Sequence, residues 1–166
     1  MSRSGLHEDD GDDPLAYGRW RAAVRSAMQG KRGQAFLREA LAVLDAMPNK
    51  QLIREHLVFD GSQPVWSGSE VIVGADELVD RNGVVMPIGS VCLLGAVGQA
   101  RGMNMSELDP EEMEQVAPAC GLANAMAREI VYWNDEGGDR GETPEQRWQR
   151  MRRWIENQIT KPQEKK

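Results

Sequence analysis

Apolar side chains recur at helical spacing along much of this chain. Ala16, Trp20, Ala23, Val24, Ala27 and Met28 fall on one helix face, with Arg19, Arg21 and Arg25 away from its centre. Asp12 or Asp13 is the expected cap, and Pro14 stands in the first turn, where its missing N–H is harmless. Gly30-Lys31-Arg32-Gly33 is expected to break this helix. Phe36, Leu37, Ala40, Leu41, Leu44 and Met47 form a second stripe, Arg38, Glu39 and Asp45 face out, and Pro48-Asn49 ends it. So short a connection predicts an antiparallel hairpin whose 30–33 turn is a basic tip.

Between 50 and 90 the pattern changes. Residues 52–59 and 70–73 favour extended structure, and Asp80-Arg81-Asn82-Gly83 is a turn before Val84-Val85-Met86, because Asn-Gly tolerates positive φ. Trp66, between Pro64 and Gly68, reads as a lid over the core, with an exposed loop aromatic as the lesser reading. The run 91–100 is apolar on nearly every side, which predicts the most buried helix, with Gly95 and Gly98 for close approach and Gly102 as a left-handed cap.

Asp109-Pro110-Glu111-Glu112 opens a short acidic helix that Pro118 should stop. Leu122, Ala123, Met126, Ala127, Ile130 and Val131 mark another helix, followed by a Gly-rich surface loop over 133–140. Thr143-Pro144-Glu145-Gln146 starts the last helix, which buries Trp148, Met151, Ile155 and Ile159.

The fold class expected is mainly α: a compact bundle of five or six helices with a small antiparallel β-hairpin or three-stranded insertion at about 52–88. Residues 1–12 read as a disordered acidic tail, 13–160 as a single helical domain and 161–166 as a disordered basic tail. At 166 residues and 40% hydrophobic content the chain can build one core without disulfides or metals.

Charge narrows the functional classes. With 20 Lys+Arg against 26 Asp+Glu the net charge is -6, which repels nucleic acid and anionic lipid at long range. The distribution matters more than the sum. His7 to Asp13 is acidic, residues 19–38 hold six cations and no acid, and Arg147, Arg150, Arg152 and Arg153 form a second basic cluster. Such runs are ordinarily solvated faces, so the clusters are partner-binding candidates only by default. Neither a signal peptide nor a membrane-spanning run stands out, and Cys92 and Cys120 lie apart without C-x-x-C, so the expected compartment is the cytoplasm.

Chemistry is sparse. A cysteine hydrolase or transferase would use Cys92, His56 and either Asn134 or Asp135, with thiolate, imidazole and orienting group in contact. A thiol inside an apolar helix is a poor nucleophile, so Cys92 would have to lie at the exposed start of its helix. The residues weigh against an enzyme. Asp9, Asp10, Asp12 and Asp13 could hold a cation loosely, but a solvated tail is the stronger reading and no metal or other cofactor is expected. Gly30-Lys31-Arg32-Gly33 lacks the frame of a phosphate loop. A helix-turn-helix presenting Asn124 and Arg128 is opposed by Glu107, Asp109, Glu111, Glu112 and Glu114, so nucleic acid is a disfavoured partner. Asn134 and Asp135 are expected to cap either the preceding helix or the 133–140 loop itself, with a partner contact as the lesser reading.

Five strings carry a resemblance: Arg19-Trp20-Arg21-Ala22-Ala23-Val24, Gly30-Lys31-Arg32-Gly33-Gln34-Ala35-Phe36-Leu37-Arg38-Glu39, Val91-Cys92-Leu93-Leu94-Gly95-Ala96-Val97-Gly98, Asn134-Asp135-Glu136-Gly137-Gly138 and Glu142-Thr143-Pro144-Glu145-Gln146-Arg147-Trp148. Together they look like a family of small uncharacterised proteins encoded by phages and prophages of proteobacteria, over most of the chain. The stretch from about 62 to 89 looks longer than its counterpart there. The resemblance implies a phage setting and brings no activity. The function expected is therefore a non-enzymatic accessory protein that binds a host or phage protein, with inhibition of a bacterial defence system as one form. Its partner-binding candidates are Arg19, Arg21, Arg25, Lys31, Arg32, Asn134 and Asp135, with no preference as to oligomeric state.

Overall fold

Helix α1 (Ala16–Gln29) stops where Gly30 turns extended, and α2 (Lys31–Ala46) begins on the very next residue. These elements belong to a computed structural model that describes residues 3–4, 15–60, 65–67, 70–72, 77–79, 85–139 and 141–160, with the backbone alone at the strand residues before Pro87. The expected cap at Asp12 or Asp13, Pro14, the acidic run, Arg140 and the tail at 161–166 lie outside the described residues.

The break between the first two helices is narrower than the glycines predict. Lys31, Arg32 and Gly33 are helical. Gly33 is not a breaker: a Cβ there would run into the Ala27 carbonyl, so its lack of a side chain lets α2 lie against the end of α1. Helix α1 packs mainly on α5 (Asn124–Glu136), and α2 on α6 (Pro144–Gln158) and α3 (Leu93–Ala100). Val24 and Met28 carry the buried face of α1 while Ala23 is exposed, against expectation. In α2 Phe36, Leu37, Ala40 and Leu44 are buried, and Leu41 and Met47 pack at the core margin.

Helix α3 is the central element its composition predicts, buried from Leu93 to Gly98. A side chain at Gly95 would collide with the Leu57 carbonyl, and one at Gly98 with Met105. The helix ends as a Schellman motif at Gly102 (φ 79°), where Met103 N–H bonds the Gly98 carbonyl at 2.9 Å. After a short 3-10 turn (Met105–Glu107), α4 (Met113–Ala119) runs through Pro118 instead of stopping at it. Its stop is Gly121 (φ 72°), with Leu122 N–H on the Ala117 carbonyl at 2.9 Å.

Helix α5 continues to Glu136, through residues expected to form a surface loop. Helix α6 opens with the capping box that Thr143 and Gln146 predict, and buries Trp148, Met151 and Ile155.

The extended reading of 52–59 is overturned. Leu52, Ile53, Leu57, Val58 and Phe59 are buried, yet the segment is an irregular strap with a single bridge, Val58 to Val91. Its amides reach whatever carbonyls lie nearby: Leu52 N–H bonds Pro144, Ile53 N–H bonds Val91 and Phe59 N–H bonds Ser90. Beyond it, β1 (Val65–Ser67) pairs antiparallel with β2 (Glu70–Ile72), and β3 (Glu77–Val79) with β4 (Val85–Pro87), as separate ladders of three residues. The insertion expected at about 52–88 is not supported as drawn. No three-stranded sheet forms among the described residues, 52–59 is no strand, and both the 80–83 turn and the Trp66 side chain lie outside them. The mainly helical character stands, with six helices among the described residues. Among the described residues no helix is long and apolar enough to cross a membrane.

Candidate functional site: a buried guanidinium and carboxylate cluster

A buried irregular strap must find partners for backbone groups that no ladder serves. Those partners are side chains from the last turn of α5 and the first turn of α6. Asn134 Nδ2 donates to the Ile53 carbonyl at 2.9 Å, and Arg147 Nη1 to the Leu52 carbonyl at 2.9 Å. Asn134 Oδ1 accepts from Leu93 N–H at 3.2 Å, tying the strap to the start of α3.

Asp135 is the centre of this cluster. Its Oδ1 accepts from Asn134 Nδ2 at 2.9 Å and from Glu55 N–H at 3.2 Å. Glu55 is the one non-glycine with positive φ (67°) among the described residues, a conformation that costs about 1 kcal/mol or more and here aims its amide at the carboxylate. Arg3 completes the set, with Nε 2.6 Å from Oδ2 and Nη2 2.9 Å from Oδ1. Burial alone would raise the Asp135 pKa, but the Arg3 guanidinium and these hydrogen bonds outweigh it and hold the carboxyl below its ordinary value.

Three of the residues nominated for cysteine chemistry feel the charge of the same guanidinium. Cys92 is the N-cap residue of α3, with its thiol beside Arg3. His56 is lowered by burial and then by Arg3, which favours the neutral imidazole. The cluster nevertheless differs from a catalytic triad in three ways. Cys92 is 1% exposed, so it starts its helix without facing solvent. No hydrogen bond joins Cys92 to His56 or His56 to Asp135 among the described residues, and His56 Nδ1 is buried with no partner there. Asp135 is already committed to Arg3, Asn134 and Glu55.

A groove among the described residues lies elsewhere. It encloses 720 Å³ between the second half of α2, the 87–91 turn and α3, lined by Val43, Met47, Ile88, Ala96 and Ala100. None of Cys92, His56, Asn134 or Asp135 reaches it.

The partner-binding candidates divide. Asn134 and Asp135 are buried in α5, so they are not loop contacts. Arg21 Nη1 pairs with Glu129 Oε1 at 2.8 Å, across α1 and α5. Arg19, Arg25, Lys31 and Arg32 are exposed, the last two in the first turn of α2. The second basic cluster is largely structural. Arg150 grips Glu142 through two nitrogens and donates to the Trp133 carbonyl at 2.6 Å. Arg152 pairs with Asp45 at 2.6 Å, joining α6 to α2. Arg147, 2% exposed and 3.3 Å from Glu142, is pulled down by burial to about 10, which leaves it charged at neutral pH. Asn124 and Arg128, the helix-turn-helix candidates, bond one another at 3.1 Å on α5.

Arg3, Glu142 and the Glu55 amide were invisible as site components in the sequence. A run of apolar residues without period at 52–59 is the only signal that such partners would be required. Asp9, Asp10, Asp12 and Asp13 lie outside the described residues, and within these no group of three metal-ligating side chains assembles. Comparison with protein-family models, with curated proteins and with solved structures returns no match for this chain.

Proposed function

We propose that this chain is a non-enzymatic binding protein of phage or prophage origin. It engages an acidic surface of a host or phage protein through the cationic junction of α1 and α2, and a component of a bacterial defence complex would be a partner of the right kind. The observation that carries this reading is a contrast among basic side chains. Arg21, Arg101, Arg147, Arg150 and Arg152 are all held in ion pairs within the molecule. Arg25, Lys31 and Arg32 are exposed and make no ion pair with any described residue.

Their position adds to the contrast. Lys31 and Arg32 stand at the positive end of the α2 dipole, and no acidic residue occupies its first turn. Two cations there are unfavourable for the isolated fold by a few tenths of a kcal/mol, and an external carboxylate cluster relieves that repulsion. The chain's net charge of -6 selects against a long polyanion such as duplex DNA while leaving a local acidic patch free to dock.

The test is co-purification from infected or lysogenic cells with the full chain and with Lys31→Glu/Arg32→Glu. A stoichiometric protein partner retained by the first and lost by the second supports the reading. Absence of any such partner, equal retention by the variant, or recovery of nucleic acid alone contradicts it.

A cysteine-dependent reaction is the second reading, favoured by the one guanidinium whose charge acts on Cys92, His56 and Asp135. It predicts that Cys92 in the native chain reacts with iodoacetamide faster than a free thiol at neutral pH. Protection until denaturation ends it.

A further inference from the structure

The Asp135 carboxylate is prepared for a guanidinium by parts of the fold that do not include Arg3. Asn134 Nδ2 and Glu55 N–H both fix Oδ1, one from the helix and one from a strained turn of the strap, so the carboxylate orientation does not depend on its cation. The cation itself comes from 132 positions away in sequence. It is held by the Asp135 fork, and Arg128 Nη1 donates to the carbonyl of the adjoining Ser4 at 2.9 Å. Among the described residues, Arg3 Nη1 is buried without a hydrogen-bond partner.

From this geometry we propose that Asp135, Asn134 and the Glu55 amide form a binding site for an arginine side chain, which Arg3 fills as an internal plug that also closes Cys92 from solvent. When Arg3 leaves, the site accepts an arginine from another polypeptide, and the thiol is covered or uncovered according to its occupancy. The selectivity follows from geometry. A planar fork matches the two carboxylate oxygens, whereas a lysine ammonium presents one point charge. The α1–α2 junction plays no part in this site, so the two proposals stand or fall separately.

The experiment uses the full chain and reads alkylation of Cys92 by iodoacetamide under native conditions. Cys120, buried and pushed up to about 11 by burial and then by Cys92, serves as the internal reporter of global opening. In Arg3→Ala, Cys92 should react at least about tenfold faster than in the parent chain while Cys120 stays protected. L-arginine amide should slow that reaction saturably, L-lysine amide should not, and Arg3→Ala/Asp135→Asn should lose the arginine effect. If Arg3→Ala exposes both thiols, Arg3→Lys, which keeps the charge without the fork, is judged by the same criteria. Cys92 remaining protected without Arg3, or reacting with indifference to arginine amide, overturns the proposal.

Discussion

The Arg3 guanidinium closes on the Asp135 carboxylate in a two-pronged contact, 2.6 and 2.9 Å, between side chains only 3% and 6% exposed. Such a pair is a weak source of net stability while intact and a large liability when halved, because the remaining charge is stranded in a dry interior. Arg3→Ala or Asp135→Ala alone should therefore lower the unfolding free energy by about 3–5 kcal/mol. The double variant should lose less than the sum, giving a coupling of about 1–3 kcal/mol in urea denaturation. Additive losses would mean that the two side chains do not share one interaction.

Acid should destabilise the fold in two stages. His56 has its pKa lowered by burial and then by Arg3, so the unfolded chain takes up the proton first, and stability falls as pH drops below the unfolded value of about 6.5. Asp135 is held down against the effect of its burial, so its contribution is present above the ordinary carboxylate value of about 4 and is lost as pH falls through its lower folded value. Denaturant midpoints measured from pH 7.5 to 3 should show both limbs, and His56→Gln should flatten the first alone.

The strap makes the end of α5 structural. Asn134→Ala removes the donor to the Ile53 carbonyl and the acceptor for Leu93 N–H, leaving buried backbone groups unpaired. A loss of about 1–3 kcal/mol is expected for each such group that water cannot reach. Hydrogen exchange should report it locally, as faster exchange at Leu93 than at amides of α1. An unchanged Leu93 amide would contradict the assignment.

Two glycines separate steric closeness from backbone strain. Gly95→Ala drives a methyl into the Leu57 carbonyl at the centre of the molecule, whereas Gly121→Ala meets open space but must hold φ at 72°. The first should cost about 3 kcal/mol and the second about 1–2 kcal/mol. Thermal unfolding of the two variants gives the order directly, and a reversed order would show that α3 can shift away from the strap.

Much of the helical scaffold is legible in the residues because periodicity and caps are local. Thr143, Pro144 and Gln146 specify the start of α6, the 91–98 run specifies a buried α3, and Gly102 specifies its end. Misreadings came where a tertiary partner overrides a local preference. Gly33 looked like a breaker but is small so that α2 can touch Ala27. Asn134, Asp135 and Arg147 looked like solvent-facing polar residues, yet they are the hydrogen-bonding partners of an irregular apolar segment that has no period to announce itself. Residue types alone single out Cys92, His56 and Asp135. Arg3, which pairs with Asp135, carries no sequence signal at all.

Amide hydrogen exchange of the full chain, alone and with its co-purified partner, tests the recognition surface most directly. Protection concentrated at residues 25–34, where Arg25, Lys31 and Arg32 are exposed, is the predicted result. Protection confined to α5 and α6 with 25–34 unchanged would contradict it.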